Sequence, residues 1–169
     1  MPRLLVVHHT PTRSLTALLD QVLAGAGDDA IEGVEVVARP ALEATADDVL
    51  AADGYVLGTS ANFGYMSGAL KHFFDTTFLR VGGSLSDDGS PGSGLGGSSS
   101  GGATSGRPFG LFVHGRYDTT GAIRSVLSIT GALGWRQVRD VLDVVGDVDE
   151  QAREAAYDLG GTVAALLAD

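Results

Sequence analysis

Residues 53–75, DGYVLGTSANFGYMSGALKHFFD, decide the fold. They open with a short apolar run from Gly54 to Gly58, whose β-branched and aromatic content predicts a buried strand. A polar and aromatic loop follows, and a helix is predicted from Met66 because apolar residues then recur at helical spacing. These are Met66, Leu70, Phe73 and Phe74, and Thr77 lies on the same face. Ligands bind at the carboxyl end of the strand in such strand–loop–helix units, and the loop's hydroxyls, amide and two aromatic rings suit a flat, partly polar ligand.

The same alternation of apolar strands and amphipathic helices continues on both sides of this stretch. Strands are predicted at 4–8, 34–38, 54–58, 108–114 and 138–145, and helices at about 14–25, 46–52, 66–79, 120–133 and 149–167. Strands that are apolar on both faces indicate a parallel sheet covered by helices on both sides. With right-handed crossovers, five strands of this size fit the order 2-1-3-4-5. We therefore predict a three-layer α/β fold.

Residues 82–106 interrupt this pattern. Eighteen of these 25 residues are Gly or Ser, and almost none is apolar. Such a composition is typical of flexible linkers and not of packed elements. We predict a single domain over residues 1–169, with a flexible insertion at about 82–106 that contributes nothing to the core.

Composition excludes several classes of function. The formal net charge of −10 would repel nucleic-acid phosphates and anionic membrane surfaces, so neither is an expected partner. The absence of cysteine excludes thiolate catalysis, disulfides and Cys-based metal sites. No apolar run approaches the length of a membrane span, and the first apolar run is too short for a signal peptide. We therefore predict a cytoplasmic protein.

Three loops follow the predicted strands 4–8, 54–58 and 108–114, and we expect them to meet at one edge of the sheet. The first of them opens a helix and contains Thr10, Thr12, Arg13, Ser14 and Thr16. Hydroxyls and free backbone N–H groups at a helix N-terminus favour an anion such as phosphate. The alternative is that these side chains only cap the helix.

The other two loops supply the remaining candidate ligand contacts. The second contains Thr59, Ser60, Ala61, Asn62, Phe63, Gly64, Tyr65 and Met66, and the third contains His114, Gly115, Arg116, Tyr117 and Asp118. An arginine in the third loop would stabilise negative charge on a ligand. The alternatives are a surface ion pair for the arginine, a hydrogen-bonded strand-end histidine, and second-loop aromatic rings that are simply core or surface residues.

Three apparent motifs carry no prediction. His8 and His9 are neighbours on a strand and so point to opposite faces, and we predict no metal site. Residues 92–97 spell GxGxxG and residues 97–101 spell GxSxG. Both lie in the Gly/Ser tract and neither follows a strand, as each mechanism requires, so both are chance matches.

The segment from Asp53 to Gly68, with Lys71 and Asp75 in the helix beyond it, resembles a motif of the flavodoxin superfamily. It is most similar to the branch of NADPH-dependent FMN reductases and flavodoxin-family oxidoreductases. Thr10 to Thr16 is similar to that family's phosphate loop, and residues 114–121 resemble its third flavin loop. The resemblance implies a flavodoxin-like fold in which all three loops hold FMN noncovalently. The flavin, and no catalytic side chain, then carries the chemistry.

The function that this resemblance implies is an NAD(P)H-dependent reductase of the FMN reductase or quinone reductase type. Hydride would pass from NADPH or NADH through FMN to a quinone, a free flavin, or a nitro- or azo-compound. Enzymes of this kind are often homodimers. Two alternatives stay open: a flavodoxin-like electron carrier with no substrate of its own, which the acidic charge also fits, and a degenerate domain that no longer binds FMN.

Overall fold

The structure is a computed structural model that describes residues 1–90 and 102–169. Its strands are β1 (Arg3–His8), β2 (Glu35–Pro40), β3 (Gly54–Asn62), β4 (Tyr65–Met66), β5 (Pro108–Gly115), β6 (Arg136–Gln137) and β7 (Leu142–Val145). Its helices are α1 (Arg13–Ala26), α2 (Ala46–Ala51), α3 (Gly68–Thr77), α4 (Thr120–Ala132) and α5 (Glu150–Ala168). None of the helices in these two ranges is both long and apolar enough to cross a membrane.

The sheet has the predicted parallel topology. Its strands follow the order β2-β1-β3-β5, and β6 and β7 both pair in parallel with β5 on the outer side. The fifth strand, predicted at 138–145, is therefore in two pieces along β5: β6 precedes the predicted range, and β7 is the second half of it. The exposed charged residues Arg139 and Asp140 lie between the two pieces and interrupt the apolar pattern. The prediction of a three-layer α/β fold is confirmed.

Alternate residues along each strand pack into two separate hydrophobic cores, one on each face of the sheet. Leu5, Tyr55 and Leu57 point to the face covered by α2, α3 and α4, whereas Leu4 and Val56 point to the face covered by α1 and α5. This alternation is the two-residue period of a strand that is buried on both sides. Both faces of the sheet are therefore used for packing, and only its edges remain for a ligand.

The second predicted loop is a strand over its first half. β3 continues through residues 59–62, because Thr59 and Ser60 pair with residues of β5, and the chain then folds back as β4. Helix α3 begins after Ser67, whose hydroxyl accepts a hydrogen bond from the amide of Leu70, and not at Met66 as predicted. Met66 is instead a buried residue of β4.

The described ends of the predicted insertion pack against the core, while residues 91–101 lie outside the described residues. Thr104 is fully buried. Its hydroxyl donates to the carbonyl of Val81 at 2.7 Å and accepts from the indole of Trp135 at 2.8 Å. The prediction that the insertion contributes nothing to the core is therefore wrong at Thr104, because an isolated threonine beside a Gly/Ser tract gives no sequence signal of burial.

The amino-terminal edge of the sheet holds a closed polar network. Nη1 of Arg107 donates to the carbonyls of Val49 at 3.0 Å and Ala52 at 2.6 Å, and to the hydroxyl of Tyr55 at 2.9 Å. The Tyr55 hydroxyl in turn donates to the Val49 carbonyl at 2.8 Å, and its ring stacks on Trp135 with a centroid separation of 4.1 Å. Arg107 thereby adds a charged donor to carbonyls at the end of α2, of which that of Val49 also accepts from the Ala52 amide at 3.3 Å.

Candidate functional site

The three βα loops lie along the carboxyl edge of the sheet. The parallel register aligns His8 with Gly58 and Ser60 with His114, so the loops after β1, β3 and β5 emerge side by side. A cleft of about 510 Å³ lies between the second and third loops. It is lined by Ala61, Asn62, Phe63, Gly64, Arg116, Tyr117 and Asp118. The first loop is on the other side of β3 and does not line this cleft.

The tip of the β3–β4 hairpin projects two residues with positive φ beside the cleft. Phe63 has φ +51° and Gly64 has φ +82°, as in a two-residue type I′ turn. Glycine adopts this conformation freely, but a bulky residue there is strained. The Phe63 ring is fully exposed, so burial of its own ring does not compensate the strain.

Close packing on helix α4 fixes the position of this tip. A Cβ added at Gly121, in the first turn of α4, would lie 1.9 Å from the carbonyl oxygen of Gly64. A Cβ added at Gly115 would lie 3.0 Å from the Cβ of Ala61. The second and third loops are thus in direct contact, and glycine permits the approach on the α4 side.

Two neighbouring hydroxyls on β3 differ sharply in their surroundings. The Thr59 hydroxyl lies 3.1 Å from that of Ser67 and accepts from the Ser67 amide at 3.0 Å, so this side chain serves the start of α3. The Ser60 hydroxyl is buried and has no hydrogen-bond partner among residues 1–90 and 102–169. A buried polar group without a partner destabilises a fold by about 1–3 kcal/mol. A ligand atom at this edge would satisfy it.

The first loop combines local capping with a free helix N-terminus. Thr12 is the N-cap of α1, and its hydroxyl accepts from the amide of Leu15 at 3.2 Å. The capping alternative therefore holds for Thr12. Thr16 donates to the carbonyl of Thr10 at 3.4 Å, a weak contact, which folds the loop over the helix start.

The amides of Arg13 and Ser14 open α1 and have no intrahelical acceptor. The first turn of α1 contains no acidic residue, whereas α2 begins with two and α5 with one. The positive end of the α1 dipole therefore has no carboxylate in its own first turn, which favours an anion there.

His114 and Arg116 in the third loop make the contacts that were given above as alternatives to ligand binding. Nε2 of His114 donates to the carbonyl of Gly146 at 2.7 Å, so this histidine is a hydrogen-bonded strand-end residue. Nη1 of Arg116 lies 2.7 Å from Oδ1 of Asp147, in an ion pair whose side chains are 63% and 93% exposed. Asp118 accepts from the amide of Thr120 at 2.9 Å, a bond that lowers the pKa of its carboxyl group.

The turn after β7 also reaches the site, and the sequence did not predict this. The amide of Gly146 donates to the carbonyl of Gly115 at 2.9 Å, which places Asp147 beside the third loop. The sequence signal was a strand followed by Gly146-Asp147, the same strand-end pattern that marked the other three loops. This turn contains no hydroxyl or aromatic side chain, so the sequence alone does not indicate a ligand contact there.

Comparisons with known proteins bear on the fold of this chain. A 75-residue stretch is 39% identical to a curated protein named flavodoxin from Aquifex aeolicus (strain VF5). The match covers 44% of this chain and 40% of that protein, so it spans less than half of the relative's length. No protein-family model matches the chain.

Solved structures match over nearly the whole chain. A flavodoxin from the domain Archaea aligns with a TM-score of 0.75 and 14% identity over 99% of both chains. The chain has a flavodoxin-like fold. A flavodoxin, WrbA-like protein from Agrobacterium tumefaciens aligns with a TM-score of 0.69 and 17% identity over 99% of this chain and 98% of that one. Flavodoxin 2 from Bacillus cereus aligns with a TM-score of 0.71 and 18% identity over 96% and 97%. Identities this low establish the fold alone.

Within this flavodoxin-like fold, most of the predicted site residues fall into three groups. Seven of them line the cleft between the second and third loops. The residues of the first loop, Thr10 to Thr16, lie at the same edge but across β3. The side chains of Thr59 and Met66 are buried in protein contacts, while Tyr65 is partly exposed.

Proposed function

We propose that the carboxyl edge of the sheet binds FMN and that the protein is an FMN-dependent oxidoreductase. It transfers hydride from NADPH or NADH to a quinone, a free flavin or a similar acceptor. The observation that carries this proposal is the cleft walled by the exposed rings of Phe63 and Tyr117, with the buried, unpartnered hydroxyl of Ser60 one residue before the cleft lining begins. A flat heteroaromatic ligand with polar edges fits both features.

Each loop would contact a different part of the proposed FMN ligand. The rings of Phe63 and Tyr117 would contact the flavin, and the Asn62 amide and Ser60 hydroxyl would bond its polar atoms. The N-terminus of α1, with Arg13 and the loop hydroxyls, would hold the phosphate. Bound FMN supplies the hydride-accepting centre, and the protein supplies position and electrostatics.

An electron carrier is the second candidate, and the Arg116–Asp147 ion pair favours it. The carboxylate offsets the cation that would otherwise stabilise a negatively charged, reduced flavin. The net charge of −10 also suits docking on a basic redox partner. The curated relative that matches part of the chain bears the name of flavodoxin.

The remaining features of the proposal concern the whole chain. We propose that residues 1–169 form one domain and that the Gly/Ser-rich stretch at about 82–106 is an insertion within it, anchored to the core at Thr104. We also propose that the protein acts in the cytoplasm and forms a homodimer. Sedimentation velocity at several protein concentrations tests the homodimer, since a single monomeric species throughout would contradict it.

Titration of the purified apoprotein with FMN, followed by flavin fluorescence, tests the proposed cofactor. Parallel titration with riboflavin, which lacks the phosphate, isolates the first loop's share. Ser14→Ala should weaken FMN binding by about tenfold or more, the equivalent of the roughly 1.5 kcal/mol of one hydrogen bond to a charged group, and leave riboflavin binding unchanged. Thr76→Ala, an exposed hydroxyl on α3 that donates to the His72 carbonyl at 2.9 Å, is the matched control.

Anaerobic addition of NADPH to the FMN complex separates the candidates. Loss of the oxidised flavin absorbance supports the oxidoreductase. Reduction by dithionite but by neither NADPH nor NADH supports the carrier. Failure of the apoprotein to bind FMN would contradict both and leave the degenerate domain.

A further inference from the structure

We infer that Asp147 is a positioning residue that holds and partly neutralises Arg116 at the rim of the cleft. It thereby sets how strongly the site favours reduced over oxidised FMN. The inference rests on the proposed function, because it concerns the same cleft. Asp147 lies outside the three loops that carry the predicted cofactor contacts.

The backbone fixes Asp147 independently of the ion pair that it forms. The turn after β7 is attached to the end of β5 by two hydrogen bonds, from the Gly146 amide to the Gly115 carbonyl at 2.9 Å and from His114 to the Gly146 carbonyl at 2.7 Å. Gly146 has φ +86°, a conformation that favours glycine and turns the chain toward the third loop. The carboxylate is therefore presented to Arg116 by the fold.

Arg116 itself belongs to the cleft. Its side chain is part of the cleft lining, and Nη1 lies 2.7 Å from the Asp147 carboxylate. The pair lowers the pKa of Asp147, so the carboxylate stays charged and the compensation persists at neutral pH. A ligand in the cleft consequently meets a cation with an anion held against it.

The Arg116–Asp147 pair matters because the charge of the flavin ring changes on reduction. Two-electron reduction of a flavin leaves the ring negatively charged at neutral pH, and a nearby cation stabilises that form over the neutral oxidised form. Asp147 opposes this in two ways, since it draws the guanidinium toward itself and adds its own negative charge. Removing the carboxylate should therefore raise the affinity for reduced FMN relative to oxidised FMN.

Two other carboxylates nearby provide controls. Asp118 also lines the cleft, but it is bonded to the Thr120 amide and not to Arg116. Asp143 accepts from the Thr119 hydroxyl at 2.6 Å and is likewise not paired with Arg116. Asp118→Asn consequently removes one negative charge from the same rim without releasing the guanidinium.

The experiment measures the midpoint potential of bound FMN against a reference dye, together with the dissociation constant for oxidised FMN. Since surface pairs are worth at most about 1 kcal/mol, we expect Asp147→Asn to raise the reduced-to-oxidised affinity ratio about two- to fivefold. That range equals about 9–21 mV for a two-electron couple, in which tenfold is 29.6 mV. Arg116→Gln should shift the ratio in the opposite direction, and Asp147→Glu should restore the parent value in part.

A double-mutant cycle decides whether Asp147 acts through Arg116. In the Arg116→Gln background, Asp147→Asn should have less than half of its effect in the parent. An equal effect in both backgrounds would mean that Asp147 acts through its own charge alone and would overturn the positioning role. FMN binding with no change of potential in Asp147→Asn would overturn this inference and leave the proposed function standing. Absence of FMN binding in the parent protein would overturn both.

Discussion

The amino and carboxyl edges of the sheet differ in whether their buried polar groups have hydrogen-bond partners. At the amino edge, Arg107, Tyr55 and Thr104 each have hydrogen-bond partners and are buried or partly buried. At the carboxyl edge, Ser60 has a buried hydroxyl without a partner among the described residues, and Phe63 is strained and fully exposed. The first edge stabilises the fold, and the second retains unpaired groups and strain. Strain and unpaired groups of this kind concentrate at binding sites.

The largest expected effect is on the amino edge. Arg107→Ala removes the donor shared by the Val49 and Ala52 carbonyls and the Tyr55 hydroxyl. Because partly buried acceptors would lose a charged donor, the free energy of unfolding should fall by about 2–3 kcal/mol. Urea denaturation followed by Trp135 fluorescence measures it, since this ring stacks directly on Tyr55.

The control for this prediction is an exposed arginine of the same sheet face. Arg80 pairs with Asp47 at 2.8 Å, but both side chains are well exposed, and Arg80→Ala should change stability by no more than about 0.5 kcal/mol. Equal losses in the two variants would mean that the network contributes no more than a surface ion pair. FMN affinity should be unaffected by either change, since both arginines lie away from the carboxyl edge.

The sequence predicts the features that depend on local pattern and not those that depend on contacts between distant residues. The main strands, the helices and the strand order follow from apolar periodicity, and α2 and α5 begin within one residue of the predicted positions 46 and 149. The pairing of Arg116 with Asp147 joins residues 31 positions apart and has no local signal. The burial of Thr104 depends in the same way on Trp135, which the fold brings to it.

Substitutions of Phe63 at the hairpin tip separate the effect of backbone strain on stability from the effect of the ring on ligand binding. Phe63→Gly should raise the free energy of unfolding of the apoprotein by about 0.5–1 kcal/mol. Glycine removes the steric cost of positive φ, but the greater backbone entropy of glycine in the unfolded chain cancels part of that gain. The same change should weaken FMN binding by about three- to tenfold, since an aromatic contact is lost. Thermal unfolding and FMN titration measure the two effects on the same preparation.

Phe63→Leu is the matched control, because it keeps the strain and removes the ring. Its stability should equal that of the parent, while its FMN affinity should fall as in the glycine variant. A loss of stability in Phe63→Gly would show that the exposed ring supports the hairpin, and the contrast between the two edges would then be weaker.

The smallest effect concerns His8, where β1 reaches the carboxyl edge. Burial lowers the pKa of His8 below its ordinary value of 6.5, as does the neighbouring His9, while Glu43 acts in the opposite direction. The unfolded chain therefore binds a proton more readily than the folded one, so folding stability should decrease as the pH falls below about 6.5. Because the ring is only half-buried, we expect this contribution to remain below about 1 kcal/mol.

Urea denaturation at pH 7.5 and pH 5.5 measures the contribution as a difference between variants. His8→Gln keeps a polar group near the Thr10 hydroxyl, which lies 3.0 Å from Nδ1, and should lose less stability on acidification than the parent. His72→Gln, an exposed histidine on α3, is the matched control. An identical pH response in His8→Gln and the parent would mean that the imidazole is solvated at the strand end. The ligand edge would then be open to water as far as β1, and the first loop would start from a fully hydrated strand end.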